Sequence, residues 1–193
     1  SISVMTHTAA NVGQGRIIGL NSGGLGGCRL VVSNTPAFHF DGKLTISGWL
    51  KMTLAPSGGV MATAGRVWPF SRRNVESAAD TDFGAYFVRS PSTDFPSADS
   101  NLRGMKIFGS GYSSANADKI WPATILGTWS YFGAAYNGGA ARVCGAQMGS
   151  ASFVERGSLV VMPPVDSGEN LAFGNIPGTN NTYYSFAGVV DEY

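Results

Sequence analysis

Phe38-His39-Phe40-Asp41-Gly42-Lys43-Leu44-Thr45-Ile46-Ser47-Gly48-Trp49-Leu50-Lys51 decides the fold class, because bulky and small residues interleave one by one beyond an Asp-Gly turn. Side chains alternate between the faces of a strand, so Leu44, Ile46, Gly48 and Leu50 share one face and Thr45, Ser47, Trp49 and Lys51 the other. The aliphatic face predicts the core. Trp49, set among hydroxyls, predicts either a covering loop or the concave side of a sheet.

The same interleaving recurs at Trp129-Ser130-Tyr131-Phe132-Gly133-Ala134-Ala135-Tyr136-Asn137-Gly138 and at Phe186-Ala187-Gly188-Val189-Val190-Asp191-Glu192. Asn137-Gly138 between an aromatic run and Ala141-Arg142-Val143-Cys144 is the signal of a tight hairpin, with Gly139 and Ala140 available to lengthen the loop. Runs of this kind predict strands at residues 16–20, 29–33, 44–52, 59–64, 83–89, 102–108, 129–136, 141–147, 157–162, 170–174 and 185–191, with no sustained helical period between them. Long linkers are expected at 66–82 and 90–101. The fold class that follows is all-β, a two-sheet antiparallel jelly-roll sandwich in a single domain spanning residues 1–193.

Composition narrows the function. Charged residues make up 13% of the 193, against about a quarter in an average domain, so solubility rests on Ser, Thr, Asn and backbone and suits a neutral partner. A net charge of +1 lacks the positive field on which nucleic-acid affinity depends. No run approaches about 18 consecutive apolar residues, so no membrane span is expected. The start at Ser1, with no charged-then-apolar leader, reads as a mature or excised segment. Cys28 and Cys144 leave two readings open, one disulfide or two buried thiols.

The order Leu44 to Lys51, Trp129 to Tyr136, Asn137-Gly138, Leu171-Ala172-Phe173-Gly174 and Gly188 to Glu192 resembles the laminin-G-like modules of the concanavalin A-like lectin and glucanase superfamily, bacterial type, from about residue 16 onward. Cys144-Gly145 stands where such modules often carry Asn-Gly, and the chain stops at Tyr193 with the last strand cut short. The resemblance implies a fragment of a larger secreted or cell-envelope protein. It also implies a structural calcium near the closing strand, with Asp191 as the matching acidic ligand, since calcium accepts carbonyls and one or two carboxylates.

Catalytic patterns are sparse. The glucan-cleaving relatives use Glu-x-Asp-x-x-Glu, and none of Glu76, Glu155, Glu169 or Glu192 begins it. Glu76, Asp80 and Asp82 form an acidic cluster that reads as a solvated loop. His7 and His39 are the only histidines, and neither sits in a triad pattern; His39 reads as a strand-edge residue. Gly13-Gln14-Gly15-Arg16-Ile17-Ile18-Gly19 lacks the helix a dinucleotide loop needs.

Neutral glycans are held by aromatic platforms beside amides and carboxylates. Trp68, Phe95, Tyr112 and Trp121 lie in Gly-, Pro- or Ser-rich stretches, and Asn116, Asp118 and Lys119 flank Trp121, so Trp121, Tyr112, Trp68, Asn116 and Asp118 are the expected ligand-binding residues. The expected function is a non-catalytic recognition module for carbohydrate, with a glycan or protein ligand at the cell surface. A structural or adhesive module and a glycoside hydrolase are the alternatives.

Overall fold

A computed structural model describes residues 16–18, 30–34, 40–52, 66–73, 81–88, 103–174 and 188–191. Among them run twelve strands: β1 (Arg16–Ile18), β2 (Leu30–Val32), β3 (Lys43–Met52), β4 (Arg66–Arg73), β5 (Thr81–Val88), β6 (Met105–Phe108), β7 (Ser114–Ala117), β8 (Ser130–Asn137), β9 (Ala140–Gln147), β10 (Phe153–Val160), β11 (Leu171–Phe173) and β12 (Gly188–Asp191). They form two six-stranded sheets, ordered β1-β12-β3-β8-β9-β10 and β2-β11-β4-β5-β6-β7, here called the first and second sheet. Every pairing between these strands is antiparallel, which is the jelly-roll sandwich the interleaved sequence predicts.

The core follows from the alternation. Leu50 and Met52 of β3 are fully buried, and Leu44 and Ile46 pack against the same cluster. In the neighbouring β8 the inward set is Phe132, Ala134 and Tyr136; from the second sheet come Phe70, Phe83, Ala85, Phe87, Met105 and Ile107. Phe132 stacks on Phe70 across the sandwich, with centroids 5.7 Å apart and planes 15° from parallel. Burying each such side chain contributes about 1.5–3 kcal/mol. Tyr136 also ties the layers through a polar contact, since its hydroxyl lies 3.0 Å from the Phe108 carbonyl and 3.2 Å from that of Gly84. Burial pushes this phenol well above its ordinary range despite those two hydrogen bonds.

The β8–β9 hairpin is present, one residue along from the expected turn. Asn137 pairs with Ala140, so Gly138 and Gly139 form the two-residue loop, and Gly138 takes the positive φ (61°) that such loops need.

Elsewhere the structure departs from the expected boundaries. The expected linker at 66–82 contains β4 and the first residues of β5. Pro69 and three arginines disguise β4 as a loop; Pro69 sits where the β4–β5 register shifts between Val67 and Phe70, a place where its missing N–H costs no ladder bond. The short β7 escaped notice because Ser-Ala-Asn-Ala has no alternation to read. β10 lies at 153–160 instead of 157–162, and a bulge between Arg156 and Leu159 holds Ser158 at φ 57°. The expected strand at 59–64 and the linker at 90–101 lie outside the described residues.

Candidate ligand-binding face

Trp121, expected as a platform, is a core residue. It has no exposed surface, meets Phe87 edge-on at 5.4 Å, and donates its indole N–H to the Tyr131 carbonyl at 2.8 Å. A Cβ on Gly145 would stand 3.0 Å from the indole nitrogen, so the ring lies directly on the β9 backbone. The bare Gly-, Pro- and Ser-rich setting that suggested exposure is the crossover from β7 to β8, and Trp121 fastens it to the first sheet. A buried indole offers no face to a sugar.

The other four expected residues lie on or beside the second sheet. Asn116 is exposed on β7, the edge strand of the second sheet, opposite Lys106, and the half-buried Asp118 follows it. Tyr112 closes a three-residue 3-10 turn just before β7. The backbone of Trp68 lies on β4, with β5 and β6 between it and β7. The side chains of Tyr112, Trp68 and Asp191 lie outside the description, as do Phe95, Glu76, Asp80, His7 and His39. Asp191 belongs to the other sheet, paired with Trp49. Among the described residues no three Asp, Glu, His or Cys side chains gather as a metal site.

Asp82 is not in a solvated loop. β5 carries one residue more than β4 between the pairs Arg72↔Phe83 and Arg73↔Thr81, and this bulge brings the Asp82 carboxylate to 3.2 Å from Arg72 Nε. Both side chains are almost wholly buried, at 1% and 2% exposure. Ser167 donates to the same oxygen from its N–H (3.2 Å) and its hydroxyl (2.9 Å). Arg72 further donates to the Glu169 carbonyl at 2.9 Å, to Asn34 Oδ1 at 3.0 Å and to Asp166. Burial holds the Asp82 carboxyl above its ordinary 3.8, outweighing the Ser167 hydrogen bonds and the Arg72 charge that pull it down, while the neighbouring Asp166 charge adds to the rise. This carboxylate is a structural partner of Arg72.

A different surface carries the features a flat ligand needs. Successive registers align Asp191 with Trp49, Trp49 with Tyr131, Tyr131 with Ala146, and Ala146 with Phe153. Residues in direct register share a face, so Trp49, Tyr131, Ala146 and Phe153 form one row over four strands on the outer side of the first sheet. Trp49 and Tyr131 are half-buried and lean together at 5.5 Å and 58°, and Phe153 is 62% exposed. Trp49 to Phe153 spans three strand spacings, about 14 Å.

The next row is Ser47, Gly133, Cys144 and Glu155, and the one after it includes Thr45, Ala135 and Arg142. Mostly small side chains therefore floor the surface beside the aromatic row. A Cβ on Gly133 would fall 2.8 Å from Cys144 Sγ, so Gly133 is what leaves room for that thiol, and the Tyr131 ring lies in contact with the same spot. Arg142 and Glu155 form an exposed ion pair at 2.8 Å on this side. Cys144 is a free, half-buried thiol, pushed up by burial and by the Glu155 charge; of the two open readings for the cysteines, the bridge is absent at Cys144, and Cys28 lies outside the described residues.

Trp49 was legible as the tryptophan opposite the aliphatic face, and Tyr131 alternates with buried Phe132 in the same way. Phe153 was missed because the strand was expected to begin four residues later.

Solved structures share this fold. The LG1-3 region of the laminin α2 chain matches with a TM-score of 0.55 at 13% identity, over 84% of this chain and 28% of its own length. Domain 4 of AbnA, a GH43 extracellular arabinanase from Geobacillus stearothermophilus solved in complex with arabinotriose, matches with a TM-score of 0.57 at 13% identity, over 98% of this chain and 73% of its own. No family model matches the chain, and no curated protein is similar to it in sequence. The fold is thus the laminin-G-like, concanavalin A-like sandwich.

Proposed function

We propose that this sandwich is a non-catalytic recognition module that binds a neutral oligosaccharide on the outer face of its first sheet, within a larger secreted or cell-surface protein. The observation that carries the reading is the row of Trp49, Tyr131 and Phe153 beside a floor of mostly small residues. Sugar rings present flat C–H faces that lie on aromatic rings, while their hydroxyls need donors and acceptors such as Arg142 and Glu155. The low charge of the chain agrees with an uncharged ligand. The arabinanase domain, of the same fold, was solved with a neutral oligosaccharide, which supports the class of ligand by analogy. Its setting in an extracellular enzyme supports an extracellular setting here.

The aromatic row runs across the strands for about 14 Å, so the ligand is an oligomer lying over β3, β8, β9 and β10. Calorimetric titration with arabino-, xylo- and gluco-oligosaccharides of increasing length tests this. Affinity is expected to rise with length and to fall about tenfold in Trp49→Ala and in Tyr131→Ala, with unchanged circular dichroism. Silence of the folded wild-type chain toward every neutral oligosaccharide refutes the reading.

A second reading, an adhesive module, has its own observation. Met148, Phe153, Val160 and Met162, at and around the edge strand β10, are each more than half exposed, an apolar border suited to a protein partner. Binding of a protein lost in Val160→Asp but kept in Tyr131→Ala would select it.

A further inference from the structure

The interior of the sandwich is not closed everywhere. A partly open cavity of about 250 Å³ lies between the sheets, walled by Val32, Phe40, Leu44, Ile46, Phe83 and Leu171, with Asn34, Arg72 and Glu169 at its polar end. All the apolar walls except Phe83 are only half-buried, although they face inward, so the core here is a crevice with apolar sides instead of packed side chains. Phe40 and Phe83 meet edge-on at 5.4 Å, and the Arg72 guanidinium lies 5.3 Å from the Phe40 ring centre. An engineered apolar cavity of about 150 Å³ is enough to hold a benzene ring, so this volume takes one ring with a short arm.

The polar end sets the charge of that arm. Arg72 is the cation among the described lining residues, and its guanidinium is already held by Asp82, Asp166, Asn34 Oδ1 and the Glu169 carbonyl. An anionic ligand would have to displace these acceptors, at the cost of leaving buried carboxylates without their cation. Two carboxylates behind the wall, Asp82 and Asp166, share the one guanidinium, and Glu169 is the acidic residue among the described lining residues. The local field therefore favours a cation.

The geometry points to a second binding site, distinct from the outer face, for a small arylalkylamine: its ring between the sheets against Phe40, Leu44 and Ile46, its ammonium at the Glu169 end. Charge complementarity selects the amine over the acid, and the apolar walls select the ring over a free cation.

Saturation-transfer NMR and calorimetry on the chain with 2-phenylethylamine, 3-phenylpropionate and ethylbenzene test the site. The amine is expected to bind, the neutral hydrocarbon more weakly, and the acid not at all. Glu169→Gln should weaken the amine about threefold and leave ethylbenzene unchanged. Ile46→Phe, which fills the crevice, should abolish both while Trp49→Ala abolishes neither. If Ile46→Phe does not fold, the comparison of the three probes on wild type and Glu169→Gln decides alone. Binding of the acid as tight as that of the amine, or no binding of any probe to the folded wild type, overturns the inference.

Discussion

Replacing Trp121 separates a core clamp from a ligand platform. The indole is fully buried, sits edge-on to Phe87, and donates its Nε1–H to the Tyr131 carbonyl, while the backbone N–H of Trp121 donates to the Arg103 carbonyl at 3.2 Å. Trp121→Ala removes the ring from a packed site, for an expected loss of about 3–5 kcal/mol. Trp121→Phe keeps an aromatic ring but loses the 2.8 Å hydrogen bond and part of the volume, for an expected loss of about 2 kcal/mol. Urea denaturation followed by near-ultraviolet circular dichroism reads both. Because the contact reaches the Tyr131 backbone while the Tyr131 ring lies on the outer face, Trp121→Phe is expected to bind oligosaccharide as the wild type does in the absence of urea. A Trp121→Phe protein of undiminished stability that has lost its sugar would refute the reasoning and return Trp121 to the binding surface.

Two further outcomes follow from the packing. Gly109→Ala would place a Cβ 1.8 Å from the Met162 carbonyl oxygen, a backbone atom that cannot step aside, so the melting temperature should fall by the equivalent of about 3 kcal/mol; an unchanged value would mean that the segment after β10 does not cross there. Asp82 has its carboxyl raised above 3.8 in the folded chain, so between 3.8 and the folded value the native state holds more protons than the unfolded one and this group's contribution falls as pH rises. Asp82→Asn should lack that slope, so the wild-type urea midpoint should fall relative to that of the variant as pH rises, and a wild-type midpoint that instead rises relative to the variant would contradict the raised value.

Much of the fold was legible because a half-buried strand writes its two faces into alternate residues. β3, β8, β9 and β12 stood out for this reason, and the Asn-Gly signal located their hairpin to within one residue. Buried polar strands leave no such mark. β4 carries Ser71, Arg72 and Arg73 in buried positions, and the stretch reads as a linker until Asp82, Asp166 and the Glu169 carbonyl are brought to Arg72 from distant parts of the chain. Trp121 misled for the converse reason, since a loop-like neighbourhood says nothing about what the loop folds against.

The sequence by itself determined that this is an antiparallel sandwich of low charge, because alternation and composition are properties of the chain taken a few residues at a time. Only the tertiary structure decided which aromatic groups face outward together. Trp49, Tyr131 and Phe153 are separated by 82 and 22 positions and become neighbours through the register of four strands, a quantity fixed by pairing across the sheet. Likewise the crevice beside Arg72 exists only where β2, β3, β4, β5 and β11 meet, since a void belongs to the fit between layers and to no single segment.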